Sequence, residues 1–288
     1  MKRSPDSHHD CGPLSMSLHE TRFPVNPPGL IVIPARLESR RLPRKLLLAE
    51  TGRSLLGYSI EIARRAVAAA PELLSGPVVA ADAEELLAIS REAGVSSLLT
   101  DADHLNGTSR IGEVLRRFPS SSFPSFVVNL QADHPELDAE VLVGVAETLL
   151  QDPECEMATA AVALDASDLG SFANPHMVKV ACDSDLLARR FFRVLPAQEL
   201  VATPCYRHLG VYAYRTDFLV KIVEASPSPD ALREDLEQLT ALGLGARIRV
   251  AIVSASSAGY GIDTPADYAA FVRRLSCLSD KGNPGEEC

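Results

Sequence analysis

Short apolar runs rich in β-branched residues alternate along the chain with stretches whose apolar positions recur every three or four residues. Leu30-Ile31-Val32-Ile33 is the first such run, after which Leu55, Tyr58, Ile62, Ala66 and Ala69 mark one face of a helix over 54–70. A strand pattern followed by a helix pattern predicts a βα step. The rhythm continues with a strand over 77–80, a helix over 83–93 stopped by Gly94, and a strand at Leu98-Leu99. A helix over 107–118, a strand over 126–130 and a helix over 138–150 follow. Strands separated by helical crossovers pair in parallel, since a two-residue turn cannot join parallel neighbours. The expected fold class is therefore α/β, a mixed and mostly parallel sheet flanked by helices.

The pattern changes after Asp152-Pro153. Strand-like runs at 157–164, 178–180 and 209–214 are separated by loops, which predicts a smaller antiparallel subregion over about 152–215. A helix over 231–242, a strand over 248–253 and a helix over 265–275 complete the folded unit, placed at 29–278. Residues 1–28 and 279–288 mix polar residues, proline and charge without periodicity and are expected to be flexible tails.

Composition narrows the function classes. The 288 residues are 46% hydrophobic and 23% charged with a mean hydropathy of +0.06, the balance of a water-soluble globular protein. The net charge of −10 argues against nucleic-acid partners and membrane surfaces, whose phosphates are bound by neutralising Lys and Arg. No stretch approaches the ~18 consecutive apolar residues of a membrane helix. The six cysteines form no C-x-x-C pair, which fits reduced thiols and a cytoplasmic location better than a zinc or disulfide framework.

Against that acidic background, residues 36–45 carry five basic side chains and one acid, a local charge of +4. A basic run is ordinarily a solvated surface. This one follows directly on the first buried strand, where open α/β sheets bind ligands, and so reads as a polyphosphate site. Neither G-x-x-x-x-G-K-[ST] nor G-x-G-x-x-G occurs, which disfavours P-loop and dinucleotide-binding enzymes. Two aspartates complete the signal. Asp133 ends an apolar strand and Asp263 precedes the last helix, positions suited to Mg²⁺ but equally to a turn and a helix cap.

Seven motifs in one order carry a family resemblance: I-P-A-R-x-x-S-x-R-L-P-x-K (33–45), A-D-H-x-x-G-T-x-R (102–110), V-N-x-Q-x-D-x-P (128–135), N-P-x-x-V-K (174–179), R-H-L-G-x-Y-x-Y-R (207–215), E-x-L-E-Q-L (234–239) and G-x-D-T-P-x-D (261–267). Over about 30–275 the chain resembles the 3-deoxy-manno-octulosonate cytidylyltransferases, or CMP-Kdo synthetases. That resemblance implies a Rossmann-like nucleotidyltransferase that couples CTP to the sugar acid Kdo, releasing pyrophosphate, for lipopolysaccharide biosynthesis. It implies Mg²⁺ as cofactor and a homodimer, with 152–215 shared between sugar binding and dimerisation.

By the same resemblance Arg36, Ser39, Arg41, Lys45, Thr108 and Arg110 would bind the nucleotide. Asp133 and Asp263 would hold the metal, and with Arg36 and Lys45 would form the catalytic set. Gln131, Arg193, His208, Tyr212, Glu237 and Gln238 would meet the sugar acid, Arg193 pairing with its carboxylate. A set of cation, donors and acceptors suits a polyhydroxylated anion independently of the family. His208 also fits a buried structural histidine, and of Tyr212 and Tyr214 only one is expected to face the site. No enzyme nucleophile is needed, because positioning and charge neutralisation suffice for nucleotidyl transfer.

Four positions depart from the family pattern. His134 stands where the family has glutamate, which makes the metal region less negative or sensitive to pH near ~6.5. Ser109 replaces glutamate, Phe191-Phe192-Arg193 replaces F-S-R, and Thr240 replaces arginine. These changes raise two alternatives: a sibling enzyme that activates another acid, such as 8-amino-Kdo or a phosphonate, and a nucleotide-binding homologue without catalysis.

Overall fold

The computed structural model describes residues 28–118, 123–164, 169–194 and 204–280. Of the tails expected at 1–28 and 279–288, residues 1–27 and 281–288 lie outside the described residues, whereas 279–280 end the last helix. The strand β1 (Gly29–Ala35) is buried along its whole length because it is covered on both faces. Its alternate residues divide the core: Ile31 and Ile33 face one cluster, Leu30 and Val32 the other.

Beside β1 lie β2 (Leu74–Ala81), β3 (Ser96–Leu99) and β4 (Phe126–Asn129), all parallel to it or to one another. The helices α1 (Leu55–Ala69), α2 (Glu84–Glu92), α3 (Gly107–Arg116) and α4 (Ala139–Gln151) make the crossovers. Their starts are chemically marked. Ser54 Oγ accepts from Gly57 N, Asn106 and Ser109 form a capping box on α3, and Asp138 accepts from Glu140 N.

The second half joins the same sheet. β5 (Met157–Ala163), β8 (Cys205–Arg215) and β9 (Ile248–Val253) extend it in the order β3-β2-β1-β4-β8-β5-β9. β8 is antiparallel to β4 and β5, whereas β5 and β9 are parallel. Only the antiparallel pair β6 (Lys179–Cys182) and β7 (Ala188–Phe192), with α5 (Leu169–Ala173) before it, stands off this path, joined through β6 to the start of β8. The region 152–215 is thus two central strands plus a small flap. No helix among the described residues is long and apolar enough to cross a membrane.

Several elements differ from expectation. The helix expected over 231–242 is two, α7 (Pro229–Glu234) and α8 (Gln238–Gly243), because Asp235 takes a left-handed conformation that ends the first. The short β7 and the helix α6 (Thr216–Glu224) were not among the expected elements, although Phe218, Leu219 and Ile222 give α6 an apolar face at helical spacing. α9 is a single turn at Ala255–Ala258, and α10 (Pro265–Asp280) runs past the expected end at 275. Tyr212 and Tyr214 share one side of the strand with ring centroids 5.8 Å apart, since residues two apart on a strand share a face, and of the two Tyr212 lines a cavity.

Candidate active site

The carboxyl ends of β1 and β4 open into the basic loop and into Asp133. Leu37 N donates to Asp82 Oδ1 (2.8 Å), and Arg36 Nη2 donates to the carbonyls of His104 (2.8 Å) and Leu105 (3.4 Å), so the loop is anchored from β2 and from the entry to α3. Arg44 is left-handed and turns the chain into the short 3₁₀ helix that carries Lys45. Lys45 is buried. Its Nζ donates to Asp133 Oδ2 (2.8 Å), to the Ile262 carbonyl (2.7 Å) and, at 3.5 Å, to Asp263 Oδ1.

The loop 259–263 brings Asp263 to this point. Ile262 N donates to the Asp133 carbonyl at 2.9 Å. The turn into α10 is capped by Thr264 and Asp267, whose Oδ2 accepts from Asp263 N, Thr264 N and Thr264 Oγ1. Capping therefore leaves the Asp263 carboxylate free for Lys45 and for Arg41 Nη2, 2.9 Å away. Burial by itself raises the Asp133 carboxyl, but the neighbouring Lys45 and then His134 more than offset this and hold it below the ordinary carboxylate range. It is a carboxylate near pH 7.

Two adjoining cavities of about 600 Å³ each meet at Asp263, Arg41, His176 and Arg193. One is lined by Arg36, Ser39, Arg41, Lys45, Gln131 and Asp133, and in all carries five basic side chains and four acidic ones, among them Asp133 and Asp263. The other presents His134, Arg207, His208, Tyr212, Gln238 and Tyr260. Of the residues expected to bind the sugar acid, Gln131 lies in the first cavity and Arg193 borders both. Glu237 lines neither; burial raises its carboxyl, and Thr108 beside it pulls it back, although Thr108 Oγ1 and Glu237 Oε2 both lack a partner in hydrogen-bond geometry.

Arg110 and Thr108 are also withdrawn from the cavities. The Arg110 guanidinium, 3% exposed, donates to Asp82 Oδ2 (3.1 Å) and Thr100 Oγ1 (2.5 Å). Because Asp82 holds Leu37 N with its other oxygen, Arg110 acts on the basic loop from behind. Asp82 was not singled out in the sequence, for its only mark is its place after β2.

His208 is both a core histidine and a cavity residue. Thr159 Oγ1 gives its one proton to the Val211 carbonyl (2.6 Å), so it accepts from His208 Nε2 at 2.9 Å, which leaves Nδ1 as the acceptor of the neutral ring. Burial, helped by His134, pushes its pKa down to about 3. His134 is likewise held below its ordinary range by burial despite Asp133 beside it, so the charged ring expected near pH 6.5 is displaced to lower pH. Gly261 permits this packing, since a Cβ there would meet His134 Nε2 at 3.0 Å.

Two of the four departures are absorbed by local structure. Ser109 completes the α3 capping box, and Thr240 Oγ1 accepts from Ser228 N at the start of α7 (3.3 Å). Phe191 and Phe192 are buried core residues. His134 alone changes the charge beside Asp133.

A model of the cytidylyltransferase family matches residues 30–248. A 3-deoxy-manno-octulosonate cytidylyltransferase from Polynucleobacter asymbioticus is 40% identical over 234 residues, 79% of this chain and 88% of the relative. The chain belongs to the 3-deoxy-manno-octulosonate cytidylyltransferase family. A second member, from Methylibium petroleiphilum, is 39% identical over 88% of this chain and 96% of its own. The solved structure of a CMP:2-keto-3-deoxy-manno-octonic acid synthetase complexed with CTP superposes with a TM-score of 0.75 at 29% identity, covering 88% of this chain and 99% of that one.

Proposed function

We propose that this enzyme transfers the cytidylyl group of CTP to 3-deoxy-manno-octulosonate, giving CMP-Kdo and pyrophosphate, and that it serves lipopolysaccharide biosynthesis in the cytoplasm as a homodimer. The observation that carries the reading is the meeting, at Asp263, of a cavity that gathers Arg36, Arg41 and Lys45 with a mixed polar cavity. The first suits a triphosphate, with Arg36, Arg41 and Lys45 spreading positive charge along it and Ser39 at its side. The second suits a sugar acid, with the neutral His208 and with Tyr212 and Gln238 as partners for hydroxyls.

In this arrangement the acceptor's anomeric oxygen bonds to the α-phosphorus as the bond to pyrophosphate breaks, and the hydroxyl gives up its proton. The chain contributes alignment of the two substrates and cations aimed at the charge that leaves with pyrophosphate. Asp133 and Asp263 fit Mg²⁺. They are two oxygen donors brought to one ammonium group, and among the described residues no larger set of His, Cys, Asp or Glu gathers to hold a metal unaided. Mg²⁺ commonly takes one or two carboxylates and completes its shell with phosphate oxygens and water. When bound it would supply further neutralisation of the triphosphate.

The test is pyrophosphate release from CTP and Mg²⁺ with Kdo, 8-amino-Kdo, a sialic acid or no acceptor. Release with Kdo is expected, and Asp133→Ala should lower it at least about 100-fold in protein that still unfolds cooperatively, with a lower midpoint because the buried Lys45 loses a carboxylate partner. Release only with another acid moves the assignment to a sibling activity. CTP binding without release from any acceptor would make the protein a nucleotide binder.

A further inference from the structure

The cations around the acceptor cavity differ in how fully they are committed. Arg193 donates from Nε to the Glu234 carbonyl (3.0 Å), from Nη1 to Pro175 (3.3 Å) and from Nη2 to Asp235 (3.1 Å). Each of its nitrogens is thus engaged by main chain. The buried Lys179 adds to the same knot, donating to the carbonyls of Asn174 (2.7 Å) and of Arg193 itself (2.6 Å). Together they fasten the loop before β6 to the αL turn at Asp235.

Arg207 has no such commitment. Its guanidinium donates from Nη1 to the Gly259 carbonyl (3.1 Å), and among the described residues no carboxylate forms an ion pair with it. Burial lowers its pKa from the ordinary value. One guanidinium face lies over the Tyr260 ring, 5.2 Å from the centroid, and that ring also carries Arg274 at 5.6 Å, itself tied to Glu136. The stack sets the plane of Arg207 and leaves most of its N–H groups open to the cavity it lines. A half-buried cation without a counter-ion is costly unless a ligand supplies one.

Position agrees with charge. In a 2-keto sugar acid the carboxylate carbon is bonded to the anomeric carbon, so its cation has to lie near the point of attack, beside Asp133 and Asp263. Arg207 lines the same cavity as His134, the neighbour of Asp133, and as Asp263, and the loop that supplies Gly259 and Tyr260 also supplies Asp263. Gly259 is required there, with a φ of 54° and a would-be Cβ 2.7 Å from the Glu136 backbone. We infer that Arg207, held flat by Tyr260, forms the ion pair with the acceptor's carboxylate, and that Arg193 is a positioning residue that secures the cavity wall. The inference rests on the proposed sugar-acid acceptor.

The experiment compares Kdo with its carboxamide in wild type, Arg207→Gln, Arg193→Gln and Tyr260→Leu, with CTP affinity measured by calorimetry in the absence of acceptor. Arg207→Gln should raise KM for the acid about 100-fold, keep CTP affinity within about twofold, and abolish discrimination against the carboxamide. Tyr260→Leu, a change at an exposed ring, should raise the same KM by a smaller factor. Arg193→Gln should lower thermal stability yet keep the discrimination. Retained discrimination in Arg207→Gln overturns the assignment, and so does a matching loss of CTP affinity, which would make Arg207 a latch for the 259–263 loop. If wild type uses a different 2-keto acid, the series is run with that acid and its carboxamide: the Kdo assignment then fails while Arg207 is still tested. Turnover with no such acid overturns both.

Discussion

Lys45 and His208 show how burial assigns a protonation state to a single residue. Lys45 sits between two carboxylates and a carbonyl, and its charge keeps Asp133 ionised in a place where burial alone would favour the acid. His208 is the reverse case. Its one fixed partner is a hydroxyl oxygen, nothing nearby compensates a charge, and the ring stays neutral down to about pH 3. Since the folded pKa lies below the unfolded value of about 6.5, the unfolded chain takes up the proton first and stability falls as pH drops from about 6.5 toward 3. Urea unfolding of wild type and His208→Asn should diverge across that window. The wild type is expected to lose up to ~1.4 kcal/mol more per pH unit, and parallel pH profiles would refute the neutral buried ring.

At the scale of elements, the basic loop owes its shape to what lies behind it. The end of β2 presents Asp82, which holds Leu37 N with one oxygen and the Arg110 guanidinium of α3 with the other. Loop, strand and helix are thereby joined by one buried carboxylate. Breaking such a pair strands a buried charge and costs about 3–5 kcal/mol. Asp82→Asn should therefore lower the unfolding midpoint by several degrees and raise KM for CTP about tenfold, with KM for the acceptor little changed. An unaltered KM for CTP in that variant would show that the loop holds its shape without Asp82. The break between α7 and α8 matters in the same way, because the left-handed Asp235 turns two carbonyls toward Arg193.

At the scale of the whole molecule, a net charge of −10 coexists with a +4 loop, so the field that attracts CTP is local and short-ranged. The proposed homodimer is also tested at this scale. Sedimentation equilibrium should then give twice the 30.9 kDa chain mass at micromolar concentration. A monomer at that concentration would refute the dimer.

The α/β rhythm, the buried first strand, the basic loop and the two aspartates were legible in the sequence because each is local: periodicity, β-branching and charge density are properties of short windows. The seven motifs added the family, and of the residues expected at the site all but Thr108, Arg110 and Glu237 line the two cavities. What the chain alone left open was decided by contacts between distant segments. Asp263 suited a cap or a metal site equally well until Thr264 and Asp267 took the cap and Lys45, over 200 positions away, took the carboxylate. Arg110 and Arg207 carry the same charge in two of the seven motifs. Only packing separates them, by giving Arg110 a buried aspartate and leaving Arg207 with an aromatic ring and an open cavity. A side chain's charge is written in its residue type, but whether that charge is spent on the fold or kept for a ligand depends on which groups the tertiary structure brings within reach.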